Sequence, residues 1–280
     1  GAELVLTPGA EGMAGAIRYA VCTGGEDFPG RRRALGTGLT LLGAAGVLLT
    51  ALYLLFGVGV LRLFGARGEV LELAREYLTW VTLGAVFQVL GTGLVPFLRN
   101  MGCSVAAMAA MMAGFASNIV LDWLFVWVIP WGMAGAAAAT VLGQGVTFLV
   151  CAAVMLRRGE KPALGDAALF RRILWAALSP FGLTFSPNLT LIFVNKSAVL
   201  AGGDSAVACY AAISYLTCVV LLLIQGVTDG SQPLLSLAHG RGDERGVLIL
   251  RGMTLAGALL TAGVCAGALF LLRDSAAVLF

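Results

Sequence analysis

The sequence predicts an all-α integral membrane protein, and three observations carry that prediction. Of the 280 residues, 59% are hydrophobic and only 12% are charged, about half the charge of a soluble domain. Mean hydropathy is +0.94. Seven stretches are apolar over about 20 residues, the length that crosses a bilayer as a helix. These features exclude a soluble globule, a disordered chain and a nucleic-acid binder, whose partner would demand far more than a net charge of +3.

Taken in order, the spans run over 37–61, 77–98, 104–129, 133–156, 173–200, 205–237 and 247–272. The first follows the basic run Arg31–Arg33, and the second ends at Arg99 and Asn100. The third and fourth are separated only by Pro130–Gly132, and the fifth and sixth only by Gly202–Asp204. The last follows Arg241 and Arg245. The 38 glycines suit close helix–helix approach in lipid. Residues 1–36 hold Pro8, several acids and many glycines, and read as an irregular segment too polar for a signal-peptide core.

Basic residues concentrate on cytoplasmic loops. With Arg31–Arg33 inside, the inner loops also collect Arg99, Arg157, Arg158, Lys161, Arg171, Arg172, Arg241, Arg245 and Arg251. The outer side keeps Arg62, Arg67, Arg75 and Arg273. The expected topology is N-terminus in, C-terminus out. The chain begins with Gly1 and ends at Phe280 directly after a span, so truncation at both ends is expected. Gly25-Glu26-Asp27 before the first span echoes Gly242-Asp243-Glu244 before the last, which suggests a parallel repeat.

Six cysteines scattered singly and one histidine argue against a zinc site or a disulfide framework. An intramembrane enzyme would need a catalytic cluster such as HExxH or paired acids. The one histidine, His239, sits in a predicted loop, and no span carries two acids together. The chain is therefore expected not to be an enzyme.

Ionisable side chains inside a bilayer are functional candidates by default. Asp122 has the best company. Asn118 lies one turn before it on the same helix face, and Thr140 falls at a similar depth on the next, antiparallel helix. Carboxylate, amide and hydroxyl oxygens at one level suit Na⁺, the carboxylate alone suits a proton, and the trio also suits plain interhelical hydrogen bonding. Asn195 and Lys196 lie towards the outer end of the fifth span, where snorkelling is the alternative. Asp229 lies in Gln225-Gly226-Val227-Thr228-Asp229-Gly230-Ser231-Gln232-Pro233, where glycines and a proline predict a bend or break. Gln88, with Met108, Met111, Met112 and Phe115, offers polar, polarizable and aromatic surface for a cavity, or ordinary packing.

Four segments together resemble the MATE (multidrug and toxic compound extrusion) family. They are Phe97-Leu98-Arg99-Asn100-Met101-Gly102; Asn118-Ile119-Val120-Leu121-Asp122 with Gly135 to Thr140; Phe193-Val194-Asn195-Lys196-Ser197 with Gly202-Gly203-Asp204; and Asp229-Gly230-Ser231-Gln232-Pro233-Leu234-Leu235-Ser236 with Gly240. The nearest flavour is the bacterial MepA-type branch. The resemblance implies a twelve-helix, two-lobe transporter of which about seven helices are present. On that mapping, 1–36 is the irregular N-terminal segment, 37–156 the N-lobe remnant with four helices, 157–172 a cytoplasmic inter-lobe linker, and 173–280 the start of the C-lobe with three. It implies export of drugs or organic cations by antiport with Na⁺ or H⁺, through alternating access, by a monomer in a bacterial cytoplasmic membrane, with no other cofactor and no nucleic-acid partner. Asn118, Asp122 and Thr140 match the family's cation site, while the acid its relatives carry on their first helix has no match here. Gln88, Asn195, Lys196 and Asp229 become candidates for coupling or for the substrate cavity. A lipid-linked oligosaccharide flippase of the same superfamily and an inactive fragment are the competing expectations; the flippase would want more basic residues in the cavity than Lys196 alone.

Overall fold

Apolar length sets most of the elements. The computed structural model describes residues 9–63 and 68–279, and its elements are helices. They are α1 (Gly9–Gly24), α2 (Phe28–Leu63), α3 (Glu69–Asn100), α4 (Ser104–Asp122), a π-helical segment (Trp123–Val128), α5 (Gly132–Arg157), α6 (Ala167–Gly240) and α7 (Glu244–Leu279). Among the described residues, six stretches are long and apolar enough to cross a membrane: Phe28–Gly59, Ala74–Asn100, Ser104–Val128, Gly132–Arg157, Leu216–Gly240 and Glu244–Leu271. The predicted span absent from that set is 173–200, many of whose side chains, Asn195 and Lys196 included, lie outside the described residues.

Three expectations are corrected. Within the supposedly irregular 1–36, residues 9–24 form α1 and α2 already begins at Phe28. Helical backbone continues through 201–204, where a turn was expected, and through 225–233, where a bend or break was expected and no break occurs. In the latter stretch Thr228 Oγ1 donates to Gln225 O at 2.8 Å and Ser231 Oγ to Thr228 O at 3.0 Å, so hydroxyls bond back onto helix carbonyls without ending the helix.

The chain divides into two compact units: residues 1–20 with 27–184, and residues 21–26 with 185–280. In the first, α3 is the central helix and packs on α2, α4 and α5. Its glycines permit this. A Cβ on Gly91 would lie 3.0 Å from Gln144 O of α5, and one on Gly46 of α2 would lie 3.3 Å from the Val86 Cα. Phe97 is fully buried at the meeting of α1 and α2, its ring against Gly15 and Gly38. Leu35, Leu42, Val89, Ala16 and Tyr19 complete that cluster, and Leu94, Val95, Leu98, Ala107, Ala110 and Cys151 form a second one. Outward faces are apolar too: Leu48, Leu54, Leu55 and Phe56 of α2 are mostly exposed, as expected of helices whose solvent is lipid tails.

α3 ends in a Schellman motif. Cys103 N–H donates to Leu98 O at 2.9 Å and Gly102 N–H to Arg99 O at 3.1 Å, with Gly102 at φ +77°. That left-handed position accounts for the glycine of the Arg99–Gly102 motif.

In the second unit, α6 ends in the same motif, with Asp243 N–H on Ala238 O, Gly242 N–H on His239 O and Gly242 at φ +73°. Asp243 then caps α7, accepting from Gly246 N–H at 2.8 Å. The turn after α1 has a matching pattern: Gly25 N–H bonds Val21 O, Glu26 N–H bonds Thr23 O with Glu26 at φ +56°, and Asp27 accepts from Gly30 N–H at 2.9 Å. The repeat read from sequence is thus geometric, but displaced by one residue: Glu26-Asp27 corresponds to Gly242-Asp243.

The ends of α1 and α6 also meet reciprocally. A Cβ on Gly24 would strike Leu237 O, and one on Gly240 would strike Val21 O. Each helix end therefore presents a glycine to the other's backbone carbonyl, the arrangement that lets helices approach closely in lipid.

Candidate functional site

The seam between α4 and α5 holds the predicted cation trio. On α4, Ala107, Ala110 and Gly114 are buried at three- and four-residue steps, and Asn118 and Asp122 continue that line. On α5, Gly135, Ala137, Ala138, Ala139, Gly143, Thr147 and Cys151 are buried. Small residues bring the two backbones together: a Cβ on Gly143 would lie 2.9 Å from Asn118 Cβ and 2.9 Å from Gly114 O. Thr147 stitches the seam, its Oγ1 lying 3.4 Å from Ala110 O across the seam and 3.3 Å from Gly143 O within α5. Interhelical hydrogen bonds in membranes average about 0.6 kcal/mol. Thr147→Val should therefore lower the thermal midpoint slightly, while Thr254→Val should lower it less, because the bond its hydroxyl makes among the described residues stays within α7, to Leu250 O at 2.8 Å. A thermal melt in detergent distinguishes the two.

The contacts Gly114–Thr147, Asn118–Gly143 and Phe125–Gly135 define an antiparallel register. Asp122 lies level with Ala138 and Ala139 in that register, so Thr140 is within about half a turn, ~3 Å, of its depth. Asn118 and Thr140 are half-buried, as is Asp122. The Thr140 hydroxyl donates to Ala136 O at 3.0 Å, which leaves its oxygen lone pairs for a further partner. Asp122 is the last α-helical residue before the π-helical segment, whose closing bonds are Ile129 N–H to Leu124 O at 2.9 Å and Trp131 N–H to Phe125 O at 2.8 Å. Phe125 and Trp131 stack with ring centroids 5.0 Å apart. π-Helical turns are rare and recur at functional sites. The seam thus offers a carboxyl group, an amide and a hydroxyl at neighbouring levels, hard oxygen donors of the kind small cations prefer. Among the described residues no group of three His, Cys, Asp or Glu gathers as a metal cluster.

The other candidates disperse. Gln88 is buried on α3, a turn below Gly91, where Gln144 of α5 makes its close approach. Gln144 is a polar seam residue the sequence reading did not single out; its position one turn beyond Thr140 was the available signal. Asp229 is half-buried on α6 in the second unit. Asn195 and Lys196 have side chains outside the described residues. Met108, Met112 and Phe115 sit on the exposed face of α4, with Met111 half-buried, away from the buried stripe that continues into Asn118.

Fold and seam define a class first: a multi-pass helical membrane protein built like the MATE transporters. A sequence model of the MatE family matches residues 4–124. The multidrug export protein MepA of Staphylococcus aureus (strain NCTC 8325 / PS 47) is 25% identical over 199 residues, which covers 69% of this chain and 44% of that protein. Among solved structures, MATE in complex with MaD5 matches with a TM-score of 0.91 at 25% identity, covering 99% of this chain and 64% of that one. The outward-facing conformation of a multidrug resistance MATE family transporter of the MOP superfamily matches at a TM-score of 0.88 and 26% identity, covering 99% and 63%. Over these stretches the chain is similar to MATE proteins, the MepA-type bacterial exporters among them. It spans less than half the length of the curated relatives it matches. The printed names of these relatives are those of a multidrug export protein and of transporters.

Proposed function

We propose that the full-length protein is a multidrug exporter of the bacterial cytoplasmic membrane, moving drugs or organic cations outward by antiport with Na⁺ or H⁺ through alternating access. It acts as a monomer, with the N-terminal end of this chain in the cytoplasm. The observation that carries the reading is the shared level of Asn118, Asp122 and Thr140 on the tightly apposed α4 and α5. A carboxylate away from bulk water is costly unless a cation sits on it. Occupancy of Asp122 by Na⁺ or a proton removes that cost, while the empty anion favours an arrangement of α4 and α5 that exposes it to water. Coupling follows if the cation and the exported drug prefer opposite arrangements, because a ligand shifts a conformational equilibrium only by its differential affinity. Gln88 and Asp229 are proposed, with Asn195 and Lys196, to serve coupling or the cavity.

The test is dye efflux from vesicles containing the full-length parent, with Na⁺ and pH gradients imposed separately. One gradient driving efflux supports the antiport reading and identifies the ion. Efflux indifferent to both overturns it.

A further inference from the structure

The segment after α5 is rich in charge and reads as a solvated linker, yet its residues are held by the first unit. Glu160 is the centre of the attachment. Its carboxylate accepts from Tyr19 OH of α1 at 2.9 Å and pairs with Arg31 Nη2 of α2 at 3.1 Å, with a second approach to that nitrogen at 3.4 Å. Both partners of the ion pair are mostly shielded, the side chains of Arg31 and Glu160 being 23% and 17% exposed. The Arg31 guanidinium also lies over two rings, 5.6 Å from the Tyr19 ring centroid and 5.3 Å from that of Phe28. The backbone beyond Glu160 is then threaded along the start of α2. Arg32 Nε donates to Lys161 O at 2.9 Å, Ala163 N–H to Arg32 O at 3.0 Å, and Gly165 N–H to Thr37 Oγ1 at 3.1 Å. Gly36 has no room for a side chain, because a Cβ there would lie 2.6 Å from the Ala163 carbonyl carbon.

We propose that Glu160 is a charge latch that fastens residues 160–165 onto the ends of α1 and α2, making this segment a fixed strap of the first unit. A carboxylate is suited to the task because one group satisfies a phenol donor and a guanidinium together, and charge-assisted bonds are about twice as strong as neutral ones. Burial, then the bond to Glu160 and its negative charge, hold the Tyr19 phenol above its ordinary value of 10.0, against the opposing charges of Arg31 and Arg158, so the donor keeps its proton at neutral pH. The strap holds whether or not the protein transports anything, so its test is independent of the efflux assay.

The experiment is amide hydrogen exchange on the whole chain in lipid nanodiscs, reading the peptide that contains Ala163 and Gly165. Those two amides report the strap directly. Glu160→Gln, which keeps the size and an acceptor but loses the charge, should speed their exchange by about tenfold, the factor expected from losing one bond to a charged group. Glu160→Ala should speed it further, and Tyr19→Phe by a smaller factor. The swap Arg31→Glu with Glu160→Arg should restore part of the protection. Unchanged exchange in Glu160→Ala overturns the latch. Equal acceleration at the α4–α5 seam, read at Thr147, also overturns it, since Glu160 would then be a general packing residue.

Discussion

Asp122→Asn should leave the protein folded and abolish ion-driven efflux by the full-length parent. The substitution keeps the side chain's shape and removes its charge, and that charge is what a cation would recognise at the α4–α5 seam. Stability should not fall, because an Asp within a membrane helix costs about 2.5–3.5 kcal/mol on insertion scales and the neutral amide escapes most of that cost. Thr140→Ala should be milder, since the Thr140 proton is already committed to Ala136 O at 3.0 Å and only an oxygen lone pair is lost to a cation. The measurement is gradient-driven dye efflux, with a thermal melt on the same samples. An Asp122→Asn variant that still follows the gradient would remove Asp122 from the coupling site.

Gly240→Ala and Gly24→Ala should each destabilise the protein, and by similar amounts. The methyl on Gly240 would lie 2.9 Å from the Val21 Cα and carbonyl carbon, and that on Gly24 3.1 Å from Arg241 N, each with a nearer clash on a backbone carbonyl oxygen. Backbone cannot swing away as a side chain does, so the helix ends must part. Overpacking of this kind costs about 1–3 kcal/mol. The double substitution should cost less than the two singles added, because both relieve the same contact. Gly230→Ala and Gly252→Ala are the controls: a Cβ at either meets open space, and alanine in place of an interior helical glycine gains about 0.5–1 kcal/mol. Thermal midpoints of the four single variants check the contrast; equal midpoints for Gly240→Ala and Gly230→Ala would show that the crossing of α1 and α6 is loose.

The membrane-spanning helices were legible because the bilayer imposes a length and a polarity that a sequence window records. α2, α3, α4 with its π-helical extension, and α5 follow from apolar runs alone. α1 was not, and its composition explains why. Apart from Met13 and Ile17, its residues Gly9-Ala10-Glu11-Gly12-Met13-Ala14-Gly15-Ala16-Ile17-Arg18 are small or charged, and the helix closes on partners distant in sequence. Gly12 abuts the Gly93 backbone and Gly15 the Phe97 ring. Smallness is read as irregularity when its partner is out of view. The same holds for 157–172, which the resemblance gave only as a cytoplasmic linker. Glu160 and Arg31 are too far apart in sequence for any local pattern to announce their pairing.

The site divides in the same way. Asn118 and Asp122 share a face by helical period, and the short Pro130–Gly132 connection set Thr140 at a comparable depth; both are properties of one chain segment folded back on itself. That Gly143 admits Asn118 so closely, and that Gln144 reaches Gly91 on α3, are facts of three helices packed together.

By itself, then, the sequence determined that the chain is helical, is apolar enough for a membrane and carries a carboxylate, Asp122, within one of its apolar stretches, because the first two follow from the free energy of transferring a local stretch out of water and the third is read directly. Only the tertiary structure decided which glycines must remain glycine, that the two turns match with a one-residue shift, and that the charged segment after α5 is strapped to the first unit. Those depend on van der Waals distances and ion pairs between residues that meet only after folding.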